Sequence, residues 1–214
     1  MINISKYNVE LQNAISFFWD KRNEQKKTQA TDGKKDQGNR GEVTAGKQLD
    51  GFLHLLKVAA IDIGVPEESI YTKGNHLPGF FRPTKNWDFL IITPSNKLIS
   101  VIELKSQVGS FGNNFNNRTE EALGSALDFW TAYRENVYPD QQVPWLGYLM
   151  VVEDSSTSKR PVRIQKSRFE IFDEFKNTSY LQRYQLFCKK LMLERHYSAS
   201  CLIQTTKEKK YSSE

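Results

Sequence analysis

Asp88, Glu103 and Lys105 are charges set where a core would not want them. Asp88 sits in Asn86-Trp87-Asp88-Phe89-Leu90-Ile91-Ile92, and the other two sit in Leu98-Ile99-Ser100-Val101-Ile102-Glu103-Leu104-Lys105. Fourteen residues lie between Asp88 and Glu103. Strand residues i and i+2 share a face, so Glu103 and Lys105 point the same way, into whatever Asp88 also faces. Two carboxylates and an ammonium at one spot make a hard-metal site with a charged helper. Mg2+ takes oxygen ligands and keeps several waters. Asp88, Glu103 and the backbone carbonyl of Leu104 would supply those oxygens. Lys105 would hold or help deprotonate a water and stabilise a pentavalent phosphate, which suits phosphodiester hydrolysis. The plainer reading is a partly buried Glu103–Lys105 salt bridge with Asp88 at a strand edge. An unpaired carboxylate among Trp, Phe, Leu, Ile and Val is costly, which favours the ligand reading. Glu42 is a further candidate, for the same site or a second metal. Its alternative is a favourable charge at a helix N-terminus.

The next stretch, Ser110-Phe111-Gly112-Asn113-Asn114-Phe115-Asn116-Asn117-Arg118, reads as a loop. Asparagine amides pair with base edges and arginine clamps guanine or phosphate. Asn113, Asn114, Asn116, Asn117 and Arg118 are therefore candidate DNA contacts, against the plain fact that Asn and Gly are common in loops. Lys159, Arg160 and Arg163 head the densest basic segment and are candidate phosphate clamps, the alternative being a solvated surface loop. Lys34, Lys35 and His76 are weaker candidates. His54 and His196 read as ordinary helix residues.

These side chains need elements to hold them. Val9, Leu11, Ile15, Phe18 and Trp19 have helical spacing and predict a helix over 7–26. Residues 27–41 read as a polar loop, followed by a helix over 42–63 that Gly64 and Pro66 end. The turn Thr93-Pro94-Ser95-Asn96-Lys97 suits an antiparallel hairpin joining the two charged strands. A helix begins near Thr119, capped by Thr119 or Asn117. The apolar run 145–152 predicts a central strand buried on both faces. The remainder reads as mostly helical, with a polar, frayed tail from 205 to 214. The expected fold is a single α/β domain with a mixed sheet, its catalytic core within 42–152.

The chain has 214 residues, enough for one domain, and a formal charge of +5 that favours anionic partners without deciding among them. No stretch is long and apolar enough for a membrane span, and no signal peptide is visible. Two cysteines, Cys188 and Cys201, are too few for a disulfide framework or a zinc site, which fits a reducing cytoplasm.

Asp88 with Glu103-Leu104-Lys105 across a hairpin resembles the PD-(D/E)xK nuclease core. The longer string from Ile102 to Ala122, continued by Ser125-Ala126-Leu127-Asp128-Phe129-Trp130-Thr131-Ala132-Tyr133-Arg134-Glu135, resembles the XhoI-type type II restriction endonucleases. Trp87 stands where that motif often has proline. The resemblance implies a restriction-endonuclease-like core and a homodimer with Mg2+ in each subunit. The implied substrate is double-stranded DNA at the palindrome CTCGAG. Cutting after the first C would leave 5′-phosphates and a four-base 5′ overhang. A companion DNA methyltransferase acting on the same site is implied too. Symmetry supports the dimer: one apparent site per subunit cuts one strand of a palindrome. The competing readings are a structure-selective repair or junction nuclease on the same core, and a DNA-binding protein without catalysis.

Overall fold

The structure is a computed structural model that describes residues 4–31 and 47–213. The chain divides into two compact units, one built from the residues up to Ile70 with Lys207–Lys210, the other from Tyr71–Thr206 with the last residues.

The first unit holds two helices, α1 (Ile4–Thr31) and α2 (Asp50–Asp62), the latter preceded by a 3-10 turn at Lys47–Leu49. Ala14, Ile15, Phe18 and Trp19 bury one stripe of α1, and Phe18 packs edge-on against Phe52 of α2. A Cβ at Gly51 would lie 2.9 Å from the Ala14 Cα, so glycine permits the close approach of the helices. Gly64, at φ +95°, ends α2 in a Schellman turn: its N–H donates to Ile61 O and that of Val65 to Ala60 O. The part of the expected 42–63 helix that would carry Glu42 lies outside the described residues, as do Lys34 and Lys35. Phe18 and Trp19 are core, so they offer no apolar surface to a second subunit.

Strand β1 (Ile70–Tyr71) spans the point in sequence where the second unit begins, and that unit is built on β4 (Phe89–Ile92), β5 (Leu98–Gln107), β6 (Trp145–Glu153), β7 (Ala199–Thr205) and β8 (Tyr211–Ser213). They form one sheet in the order β1-β4-β5-β6-β7-β8. A separate antiparallel ribbon joins β2 (His76–Pro78) to β3 (Thr84–Asn86). β4 and β5 form the expected antiparallel hairpin, with Phe89 opposite Ile102. Asn96, at φ +59°, and the Thr93 N–H to Lys97 O bond close its turn. β5 then runs parallel to β6, and β6 parallel to β7. Parallel neighbours need crossovers, and α3 (Phe111–Arg134) and α5 (Tyr180–Leu193) supply them, with the short α4 (Ser156–Lys159) between. The central strand at 145–152 is buried along nearly its whole length, as expected.

Two expectations fail. The Asn-rich stretch is no loop: α3 begins at Phe111, eight residues before Thr119. Phe111 stacks on Tyr180 at 5.8 Å, and Phe115 meets Tyr184 edge-on at 5.0 Å. Each Asn costs a helix up to about 0.7 kcal/mol and Gly about 1. Burying a phenylalanine returns about 1.5–3 kcal/mol, and aromatic pairing adds to it. The i, i+4 pair of rings therefore carries the two extra turns. Phe111→Ala should cost about 3–5 kcal/mol in a denaturant titration and lower the helical signal, because those turns lose their anchor.

The second failure is at the C-terminus, where two strands follow α5. Leu202 and Ile203 are buried in β7, and Thr205 pairs with Tyr211 of β8, so the tail is part of the sheet. Phe187 is buried as well, which removes it from any subunit contact. His196 lies in the turn after α5, and its carbonyl accepts the Trp130 indole N–H at 2.8 Å. Among the described residues no helix is long and apolar enough to cross a membrane.

Candidate active site

The β4–β5 hairpin brings its charges together. Asp88 directly precedes β4, where the Asn75 amide donates to its backbone carbonyl at 3.1 Å. Its carboxylate Oδ2 accepts the Leu104 N–H at 2.7 Å, a bond that ties it to β5. Glu103 and Lys105 share a face of β5, and Lys105 Nζ stands 3.1 Å from Glu103 Oε1. Glu103 is 1% exposed.

A second ammonium meets the same oxygen. Lys85 of β3 lies 2.9 Å from Glu103 Oε1 and 4.5 Å above the Trp87 ring. On the other side Tyr197 OH lies 3.1 Å from Glu103 Oε2 and 3.0 Å from the Ala122 carbonyl, so its single proton faces two acceptors. Lys105 also reaches Glu121 Oε2 at 3.8 Å, and Arg118 holds that carboxylate at 2.6 Å. The cluster thus pairs Asp88, Glu103 and Glu121 with Lys85, Lys105 and Arg118.

Burial sets the electrostatics. It pushes the Asp88 carboxyl above the ordinary value, beyond what the Leu104 N–H and Lys105 pull back. It would also raise Glu103, but Lys105 and Lys85 outweigh it and hold that carboxyl below its usual value. Lys105 is the converse: burial lowers it, Glu103 outweighs burial, and the ammonium is held above its normal value. Lys105 is therefore a charged donor in this arrangement rather than a proton acceptor. Burial and the Glu103 charge raise the Tyr197 hydroxyl well above its usual value, so it stays protonated.

The hairpin residues singled out by sequence, Asp88, Glu103, Leu104 and Lys105, converge as expected. Glu42 lies outside the described residues. Asn114, Asn116, Asn117 and Arg118 stand on the first turns of α3, and Asn113 lies in its backbone. The Asn114 amide is bonded back to Ser110 O, whereas Asn116 and Asn117 are exposed. Lys159 ends α4 and pairs with Asp154 at 2.6 Å; Arg160 and Arg163 are exposed beyond it. Among the described residues no group of three His, Cys, Asp or Glu forms a self-sufficient cation site.

Sequence reasoning missed Lys85, Tyr197 and a second buried carboxylate, Asp128. Lys85, three residues before Asp88, was legible as one more charge beside an apolar run. Tyr197 is ninety-four residues from Glu103, and no local pattern announces it. Asp128 occupies the buried side of α3, where it accepts from Phe80, Phe81 and Arg82.

Comparison with known proteins supplies the class. The BstVI enzyme of Geobacillus stearothermophilus is 50% identical over 180 residues, covering 81% of this chain and 80% of its own. The XhoI enzyme of Xanthomonas vasicola is 41% identical over 202 residues, covering 90% and 78%. The AbrI enzyme of Azospirillum brasilense is 43% identical over 166 residues, covering 74% and 72%. All three are type II restriction enzymes, and this chain is likewise a site-specific deoxyribonuclease of a restriction system. Residues 28–214 match the restriction endonuclease XhoI family, to which the chain belongs. No solved structure matches it.

Proposed function

We propose that the cluster around Asp88 and Glu103 is the active site, that it works with Mg2+, and that a homodimer uses it to cut duplex DNA at CTCGAG, leaving 5′-phosphates. The observation that carries this reading is a buried carboxylate, Glu103, and a half-buried one, Asp88, held with Lys105 on one hairpin. It is the PD-(D/E)xK arrangement, with Asp88 as the first acid and Glu103-Leu104-Lys105 as the second motif. The antiparallel hairpin, the α3 crossover and parallel β6 suit a restriction-endonuclease-like core. Both compact units would serve this single endonuclease domain.

The donor set fits the ion. Asp88 spends Oδ2 on Leu104 and has no hydrogen bond at Oδ1 among the described residues. Within a strand the N–H and C=O of one residue face the same neighbour, so the Leu104 carbonyl is directed to the side from which Asp88 approaches. Only oxygens are offered, and too few to close a cage, which suits a cation that keeps waters and takes phosphate oxygens. When bound, Mg2+ would polarise the phosphoryl group and lower the pKa of a water. Asp88 and Glu103 would hold it. Lys105, kept protonated by Glu103, would donate to the attacking water or a phosphoryl oxygen. Tyr197 and Lys85 would fix the Glu103 rotamer. Glu42 is retained as a candidate for the same centre.

Asn113, Asn114, Asn116, Asn117 and Arg118 would approach the DNA from a helix rather than a loop, with Lys159, Arg160 and Arg163 on phosphates. A two-fold dimer matches a palindrome, and host DNA would need a companion methyltransferase at the same site. The test is digestion of an unmethylated plasmid carrying one CTCGAG, with Mg2+ or EDTA, followed by end sequencing. Metal-dependent linearisation at that hexamer with 5′-phosphate ends is the expected result. Discrete cuts elsewhere would discard the sequence assignment, and scission of branched DNA alone would favour a structure-selective nuclease.

A further inference from the structure

The ribbon that carries Lys85 to Glu103 ends in a tip that the fold holds rigidly. Pro78 pairs with Thr84, and Gly79, Phe80, Phe81, Arg82 and Pro83 run between them. Asp128 of α3, itself 3% exposed, clamps this tip. Its Oδ1 accepts the Phe80 and Phe81 N–H groups at 2.8 and 2.7 Å, and its Oδ2 accepts Arg82 Nε at 2.6 Å. A Cβ at Gly79 would overlap that carboxylate, so residue 79 must be glycine for the clamp to close. Tyr138 OH donates to the Pro78 carbonyl at 2.9 Å and secures the base of the tip.

What this scaffold presents is a pair of phenyl rings in edge-to-face contact at 5.2 Å. Phe80 is 53% and Phe81 66% exposed. A fold that spends a buried carboxylate on fixing two exposed rings has built a contact surface. The family's substrate, DNA, identifies the partner. From Ile70 to Trp87 there is no Asp or Glu to repel it; of the segment's cations Arg82 is paired with Asp128 and Lys85 with Glu103, and Lys73 is the third. Phe81 is four residues from Lys85, at most about 14 Å from Cα to Cα, and Lys85 Nζ lies 2.9 Å from Glu103 Oε1, so the same short ribbon carries the rings and touches the active-site cluster.

We propose that Phe80 and Phe81 form a wedge that enters the bound duplex and unstacks one base step near the scissile phosphate. Apolar side chains at a rigid tip open base steps in this way, and the stacked rings repay the lost base stacking. The position of the wedge rests on the active-site assignment above; its action on DNA rests on the family's cleavage of DNA alone. It does not depend on which sequence is read.

The test uses the whole enzyme and the duplex it cuts, with 2-aminopurine placed at successive positions. Cutting of each labelled duplex by the wild-type enzyme in Mg2+ checks the endonuclease reading separately. In EDTA, wild type should brighten 2-aminopurine at one step. The F80A/F81A variant should lose that signal and bind about tenfold to a hundredfold more weakly. Circular dichroism should be unchanged, since both rings are exposed. Phe81→Tyr, which keeps the stacking face, should retain the signal. No brightening at any position of a duplex that wild type cuts would overturn the proposal. So would an F80A/F81A variant that matches wild type in signal and affinity. A change of sedimentation of the variant without DNA would overturn it by assigning the tip to a second copy of the chain.

Discussion

Glu103→Gln should reduce strand scission at least about a thousandfold, equivalent to roughly 4 kcal/mol of barrier, while duplex binding in EDTA becomes tighter. The two effects have one origin. Glu103 is the acceptor for two ammonium groups and a proposed ligand of the catalytic ion. Gln takes away the ligand charge, and it also frees Lys85 and Lys105 to meet phosphate. The protein should be less stable too, by about 3 kcal/mol, because two half-buried cations lose their shared counter-charge. Lys85, the second ammonium on Glu103, adds to that loss. The double variant with Lys85→Met should recover part of that stability without recovering cleavage. Plasmid cleavage, fluorescence anisotropy in EDTA and thermal melting measure the three effects. A Glu103→Gln enzyme that cuts at the wild-type rate would remove Glu103 from the active site.

Asp128→Ala should be strongly destabilising although it lies outside the active-site cluster, costing about 3–5 kcal/mol. It leaves the N–H groups of Phe80 and Phe81 and the Arg82 guanidinium without their acceptor. Burial alone would raise this carboxyl, but Arg82 and the two N–H groups more than offset it, so its pKa lies below the usual carboxylate value. The folded state therefore binds this proton less readily than the unfolded state. The stabilisation is complete above the unfolded value of about 4 and fades as pH falls through the lower folded value. Denaturant titrations from pH 7 down should show the gap between wild type and Asp128→Ala narrowing only at the acid end. Asp128→Asn, which keeps acceptor oxygen but no charge, should fall between the two at pH 7. A gap that stays constant through that acid range would show that the charge on Asp128 plays no part.

How much of this was legible in the chain differs from residue to residue. The hairpin was, because its two apolar runs lie on either side of a turn and strand alternation alone aligns Glu103 with Lys105. Strand β6 was, because an uninterrupted apolar run of that length has few other homes. The first two turns of α3 were hidden by asparagine and glycine. Their helical state is decided by Tyr180 and Tyr184 on a helix far along the chain. Strands β7 and β8 were hidden for a related reason: Cys201-Leu202-Ile203 is a short signal, and its pairing to β6 is a tertiary fact. Within the site the acidic half was visible. The groups that neutralise and lock it, Lys85 and Tyr197, arrive from a ribbon and a turn that the local pattern does not join to it.

That division has a consequence in time. Asp88, Glu103 and Lys105 lie on one hairpin, whose closure spans few residues and carries a small entropic cost. The parallel pairings of β5 with β6 and of β6 with β7 close much longer loops and form more slowly. Tyr197 reaches Glu103 only across those pairings. A chain still emerging from the ribosome can thus carry both carboxylates before it carries the hydroxyl that fixes one of them. For an enzyme that cuts DNA, the site proposed here is assembled in two stages, the acids with the hairpin and the hydroxyl that locks Glu103 only once the turn after α5 has reached β5.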